Sequence, residues 1–309
     1  MAAKGRHNAS ERSDQNRPST ARIWLMAIRL PTLTAAFAPV VVGTAVAMRD
    51  DAFHLGGASA ALIGAIALQI AANLANDVSD FRRGADNANR IGPPRVTEQG
   101  LLTERQVLTG MLVAFASATV VGLYLAYLGG WPIVAIGVAA MLAAVTYVGG
   151  PWPYGYRGLG EIFVFLFFGV VAVAGTYYVQ AGEVTAGVLA ASVPVGLTVT
   201  AILVVNNVRD IDTDRAAGKF TLAVYLGRRY ARWAYAAFVV GAYLAAAALW
   251  VIGDFSWLAL LTLLSLPAAA GPMTIVLTRV DGPQLNEALR STARLHLIFA
   301  LLLGIGVAV

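Results

Sequence analysis

The 309-residue sequence has no cysteine, only three histidines, and few charges, with Asp, Glu, Lys and Arg together making up 13% of it. Without cysteine there is no disulfide, no thiolate nucleophile and no thiolate metal site, although this identifies no redox compartment. His7, His54 and His296 show no ligand spacing, so a metal site in this chain has to be built mainly from oxygen donors.

What the chain has in excess is apolar surface. It is 58% hydrophobic with a mean hydropathy of +0.69, more than a soluble domain of this length can bury. The apolar residues come in blocks of about 20, the length a helix needs to cross a hydrocarbon core of ~30 Å. Nine such blocks fall near residues 23-48, 56-78, 104-128, 132-148, 159-180, 186-207, 230-252, 256-278 and 292-309. The fold expected is an all-α polytopic membrane protein, residues 23-309, preceded by a disordered polar tail over residues 1-22.

The net charge of +5 does not point to nucleic acid, because the basic residues segregate by loop. Lys4, Arg6, Arg12, Arg17 and Arg22 lie in the tail, and Arg82, Arg83, Arg90, Arg95 and Arg105 lie in or beside the loop after the second span. Arg209, Arg215, Lys219, Arg228, Arg229 and Arg232 follow the sixth span, while the opposite face carries only Arg49. The positive-inside rule then puts the N-terminus and the long charged loops on the cytoplasmic side of the plasma membrane.

Two acidic clusters stand out on that face. At the end of the second span, Asn73, Asn76, Asp77 and Asp80 have offsets of 0, 3, 4 and 7, a single stripe on a helix. At the end of the sixth, Asn206, Asp210 and Asp214 repeat the stripe at offsets of 0, 4 and 8. The two sit at equivalent places in successive four-span sets, a weak internal duplication. Carboxylates converging there repel one another unless a cation intervenes, and Mg²⁺ takes oxygen ligands while bridging to phosphate oxygens. The clusters therefore suit a diphosphate held by Mg²⁺, with Arg82, Arg83, Arg90, Arg95, Arg209 and Lys219 as candidate clamps.

The stretches NDVSDFRRGADNANRIGPPRVTEQG and NNVRDIDTDRAAGKFTLAVYLGRR, with YVGGPWPYGYRGLGE between them, resemble the UbiA-type membrane prenyltransferases, and most narrowly the branch that acts on dihydroxynaphthoate. The resemblance implies nine helices around a central cavity and two Asp-rich motifs that bind Mg²⁺ and a prenyl diphosphate. It implies metal-binding and catalytic roles for Asp77, Asp80, Asp210 and Asp214, with Lys219 on the diphosphate. Substrate contacts are implied for Asn73, Asn76, Arg82, Arg95, Tyr147, Tyr156, Asn206 and Asn207. The broader family pattern wants an acid at position 84, where this chain has Gly84, with Asp86 two residues later.

The activity implied is transfer of a polyprenyl group from its diphosphate to 1,4-dihydroxy-2-naphthoate, with loss of diphosphate and carbon dioxide, giving demethylmenaquinol in menaquinone biosynthesis. Two alternatives stay open on the residues alone. One is a sister enzyme using 4-hydroxybenzoate or another aromatic acceptor, and the other is a divalent-cation or organic-anion transporter, which would place its charges nearer the membrane midplane.

Overall fold

The computed structural model describes residues 18-84, 91-251 and 253-309. Nearly all of the tail and Asp86 and Arg90 lie outside the described residues. Among those described there is no strand.

Ten helices follow in order among the described residues. They are α1 (Thr20–Ile28), α2 (Thr34–Arg49), α3 (Leu55–Arg82), α4 (Glu104–Gly129), α5 (Trp131–Thr146), α6 (Gly160–Ala181), α7 (Ala186–Ala216), α8 (Leu222–Val251), α9 (Trp257–Thr278, its first half a 3₁₀ helix) and α10 (Gly282–Val307). Eight are long and apolar enough to cross a membrane, counting α2 with the 3₁₀ turn Leu30–Leu33 before it, and α5 is a shorter apolar helix. The expected polytopic all-helical architecture is what the chain adopts.

Several boundaries differ from the sequence reading, each for a local reason. The first apolar block is not one helix. Arg29 ends α1 with φ of 58°, and Pro31 then opens the 3₁₀ turn, where its missing N–H costs nothing. Thr20 to Arg22, expected in the tail, form the first turn of α1 behind a Ser19 cap. The last helix starts at Gly282 rather than 292, because Asp281 caps the backbone N–H of Gln284 at 3.0 Å. The sixth span, expected to end near residue 207, runs on as α7 to Ala216, so the whole second acidic cluster lies within the helix on the shared face its spacing implied.

α3 and α7 are 28 and 31 residues long, roughly 42 and 46 Å at 1.5 Å per residue, and overshoot a hydrocarbon core. Their surplus turns carry the two Asp clusters. From α2 onward each helix packs on the next in sequence and α10 packs back on α2 to close a ring, with α7 also touching α2 and α10, while α1 packs on α3. Within the ring α6 and α7 approach backbone to backbone: a Cβ added at Gly169 would lie 2.5 Å from the Gly196 Cα. One apolar core joins α2 and α6 to α10, and a smaller one sets Val96 and Leu102 against Ile23, Leu74, Val78 and Val107. The second core presses the loop between α3 and α4 onto the end of α3.

Candidate active site

The overshooting ends of α3 and α7 face each other across the mouth of a cavity of about 840 Å³. Asn76, Asp77, Asp80, Asn206, Asp210 and Asp214 all line that mouth, as helical periodicity requires of residues three and four apart. Farther in, the lining is mostly apolar and follows α3 as far as Ala61, about 28 Å from Asp80 at 1.5 Å per residue.

Every one of the four aspartates meets a cation. Asp77 accepts a short hydrogen bond from the Thr97 hydroxyl and lies 3.8 Å from Arg29 Nη2. Asp80 pairs with Arg95 Nη2 at 3.0 Å and accepts from the Tyr156 hydroxyl at 3.3 Å. Asp210 is gripped by Arg209, with Nε 2.8 Å from one oxygen and Nη2 2.5 Å from the other. Asp214 Oδ1 is 3.3 Å from Lys219 Nζ, while its Oδ2 is buried without a hydrogen-bond partner.

Two turns present the cations. The residues from Arg95 to Gly100 close on themselves through Gln99 N–H to Arg95 O and Gly100 N–H to Thr97 O, which puts Arg95 and Thr97 over the first cluster. Gly218, at φ of 70°, lets the chain reverse after α7, so Lys219 returns to donate its backbone N–H to Asp214 O at 2.8 Å. Burial works against charge on Lys219, but the nearby Asp214, Asp80 and Asp210 outweigh it and hold the ammonium above the ordinary lysine range. Burial, and next the Asp80 charge, push the Tyr156 phenol up, so it stays protonated.

Oxygen donors from two helix ends, one of them a buried carboxylate oxygen with no partner, fit a hard divalent cation. Among the described residues no three carboxylate or imidazole side chains lie close enough to form a protein-only cage. Mg²⁺ does not need one, since it keeps waters and uses one or two carboxylates together with phosphate oxygens.

Beside the charged mouth is an aromatic wall. Tyr147 meets Tyr154 edge-on at 5.3 Å between centroids, Tyr154 stacks on Phe163 at 4.0 Å, and Phe163 faces Phe167 at 6.0 Å. A π-helical stretch, Phe165–Val171, adjusts the register of α6 here, and Phe167 and Phe168 line the cavity. The wall offers π faces to a planar ring or to a developing carbocation.

Not every expected contact faces this space. Arg82 is exposed and pairs outward with Glu104, Nη2 to Oε1 at 2.5 Å, instead of lining the cavity. Asn207 is buried behind the wall, donating to Glu161 Oε1 at 2.8 Å. Asn73 reaches the lining, but its amide donates to Ile28 O and Thr32 Oγ1, both at 2.8 Å, and so ties down the break between α1 and α2. Tyr156 contributes through Asp80 and stands 5.7 Å over Lys219.

Arg29, Thr97, Glu161 and Asn286 were not singled out by sequence. Only Arg29 left a trace, as a charge near the end of an apolar span just before Pro31.

The description of the UbiA prenyltransferase family matches residues 36–302. The 1,4-dihydroxy-2-naphthoate octaprenyltransferase of Mycobacterium leprae is 40% identical over 90% of this chain and 93% of its own length. The enzyme of that name from Escherichia coli is 34% identical over 94% and 96%. A UbiA homolog from Archaeoglobus fulgidus, solved bound to DMAPP and Mg²⁺, shares the fold with a TM-score of 0.62 at 12% identity, covering 91% of this chain and 99% of that one.

Proposed function

The chain belongs to the UbiA prenyltransferase family, and from that premise we propose that it transfers a polyprenyl group from polyprenyl diphosphate to 1,4-dihydroxy-2-naphthoate, releasing diphosphate and carbon dioxide. The product is demethylmenaquinol, a step of menaquinone biosynthesis. The observation that carries this reading is a single cavity with four cation-paired aspartates at its mouth and an apolar interior. That is the polarity of a diphosphate with a long hydrocarbon tail.

The two clusters divide the work. Asp77, Asp80, Asp210 and Asp214 would hold Mg²⁺, which supplies positive charge to the diphosphate oxygens as the leaving group departs. Arg29, Arg95, Arg209 and Lys219 add fixed donors in a site that burial has already taken out of bulk water. The allylic C–O bond breaks and its electron pair leaves on diphosphate. The ring carbon bearing the carboxylate attacks the allylic carbon, the bond to the carboxylate breaks, and its electron pair restores the aromatic ring as carbon dioxide departs. Tyr147, Tyr154 and Phe163 flank the space where ring and cation meet.

The charged mouth opens at the end of the bundle that carries the Lys- and Arg-rich connections, so the reading puts it on the cytoplasmic side. The Mg²⁺ reported with the Archaeoglobus homolog supports the same metal here.

The test is product formation by purified protein in detergent, given a polyprenyl diphosphate and 1,4-dihydroxy-2-naphthoate, with and without Mg²⁺. Mg²⁺-dependent prenylated naphthalenediol with stoichiometric diphosphate is the expected result. Turnover of 4-hydroxybenzoate in its place would keep the metal site and change the acceptor, and transport across vesicles with no consumption of diphosphate would sink the enzyme reading.

A further inference from the structure

Asn286 belongs to neither Asp cluster, yet it joins Arg209 of the second to the segment that leads to Arg95 and Thr97 over the first. It lies one turn into α10, half-buried at the cavity mouth. Its Oδ1 accepts from Arg209 Nη1 at 2.8 Å, and its Nδ2 donates to the backbone oxygen of Ile91 at 3.0 Å. The amide can sit only this way round, because the opposite orientation sets its NH₂ against a guanidinium N–H and its oxygen against a carbonyl.

One arm reaches the cation of the second cluster, and the other reaches the segment that carries the partners of the first. On one side Arg209 is a buried cation whose other contacts go to Asp210, through Nε and Nη2, and to Asn206 Oδ1 at 2.8 Å. Adjacent residues of a helix point about 100° apart, so Arg209 must fold back to grip Asp210 with two nitrogens. Asn206 and Asn286 hold it in that pose.

On the other side Ile91 begins the strap that covers the first cluster. Gly92, Pro93 and Pro94 follow, and the two prolines restrict the backbone, so a restraint at Ile91 carries on to Arg95 on Asp80 and Thr97 on Asp77. The far end of the strap is fixed by Val96 and Leu102 in the smaller apolar core. The near end rests on the first turn of α10 so closely that a Cβ on Gly282 would lie 2.1 Å from Ile91 Cγ2.

We propose that Asn286 is a positioning residue that keeps the two halves of the site in register, holding Arg209 against Asp210 with its oxygen and the strap over Asp77 and Asp80 with its nitrogen. A diphosphate spanning the two clusters needs both halves at a set separation, a consequence that rests on the activity proposed above. The bridge itself does not rest on it.

The two arms can be cut separately. Asn286→Asp keeps an acceptor for Arg209 but turns the second oxygen against the Ile91 carbonyl, whereas Asn286→Leu removes both arms. Hydrogen exchange of the full-length protein in detergent reads the bridge directly, and steady-state kinetics read its use. Asn286→Asp is expected to speed amide exchange across residues 91-100 and to raise KM for polyprenyl diphosphate roughly threefold to tenfold, the equivalent of one hydrogen bond, with kcat little changed. Asn286→Leu should lower kcat as well.

Unchanged exchange over 91-100 in Asn286→Asp overturns the proposal whatever the substrate is. Faster exchange with an unaltered KM leaves a purely structural contact and overturns the positioning role. Should the leucine variant fail to fold, the aspartate variant carries both measurements alone. A wild-type protein that never consumes polyprenyl diphosphate contradicts the functional reading and not the bridge.

Discussion

Arg95 and Asp80 form a buried ion pair, with 3.0 Å between Nη2 and Oδ2 and both side chains less than 10% exposed. Taking two such charges out of water is costly, and removing one partner leaves the other uncompensated at a cost of about 3–5 kcal/mol. Arg95→Ala is therefore expected to lower the unfolding temperature in detergent as well as activity. Arg95→Ala combined with Asp80→Asn should recover much of the stability and none of the turnover. A double variant no more stable than Arg95→Ala would mean that the pair is not what the loss reflects.

Asp77→Asn and Asp210→Asn each remove a charge from a different cluster while preserving shape. Each is expected to reduce kcat by roughly 100-fold or more, the scale of losing one preorganised electrostatic group. Diphosphate release measured at saturating Mg²⁺ checks this. Full turnover in both variants would reduce the clusters to surface charges.

Arg82→Ala should do almost nothing. Its side chain is 58% exposed and its partner Glu104 is 36% exposed, a setting in which an ion pair contributes about 0–1 kcal/mol. Unfolding temperature and KM for the diphosphate should both stay at wild-type values. A large rise in KM would place Arg82 back among the substrate contacts.

The pH dependence follows from Lys219. Its folded pKa is raised by Asp214, Asp80 and Asp210 against the opposing effect of burial. A raised cationic group contributes stability that is fully present below the unfolded lysine value of about 10.4 and is lost only as pH climbs through the higher folded value. Between pH 6 and 9, taken as roughly a working range well below that value, neither Lys219 nor the Tyr156 phenol should titrate. Rate profiles of wild type and Tyr156→Phe are expected to keep the same shape across that window, even where their heights differ. An alkaline limb that disappears in Tyr156→Phe would contradict this.

Gly169 meets Gly196 where α6 and α7 cross, and a methyl group there has no room. Gly169→Ala should cost about 1–3 kcal/mol through overpacking, read as a lower unfolding temperature. Gly122→Ala, where an added Cβ would meet nothing within 4 Å, is the matched control and should be near neutral.

Much of this protein was legible without coordinates. Lipid selects for apolar blocks of fixed length, so nine apolar blocks could be read from hydropathy, although the first divides into α1 and α2, and 3.6 residues per turn put Asp77 with Asp80 and Asp210 with Asp214 on shared faces. Partners were another matter. That Arg82 turns away to Glu104 while Arg95, thirteen positions later, turns in to Asp80 depends on where Val96 and Leu102 find their core. That Asn207 backs onto Glu161 and Asn286 bridges Arg209 to Ile91 depends on helices far apart in the chain. Periodicity is a property of one helix and can be read along it, whereas a contact between helices is set by their packing angle and depth, which no single stretch of sequence contains.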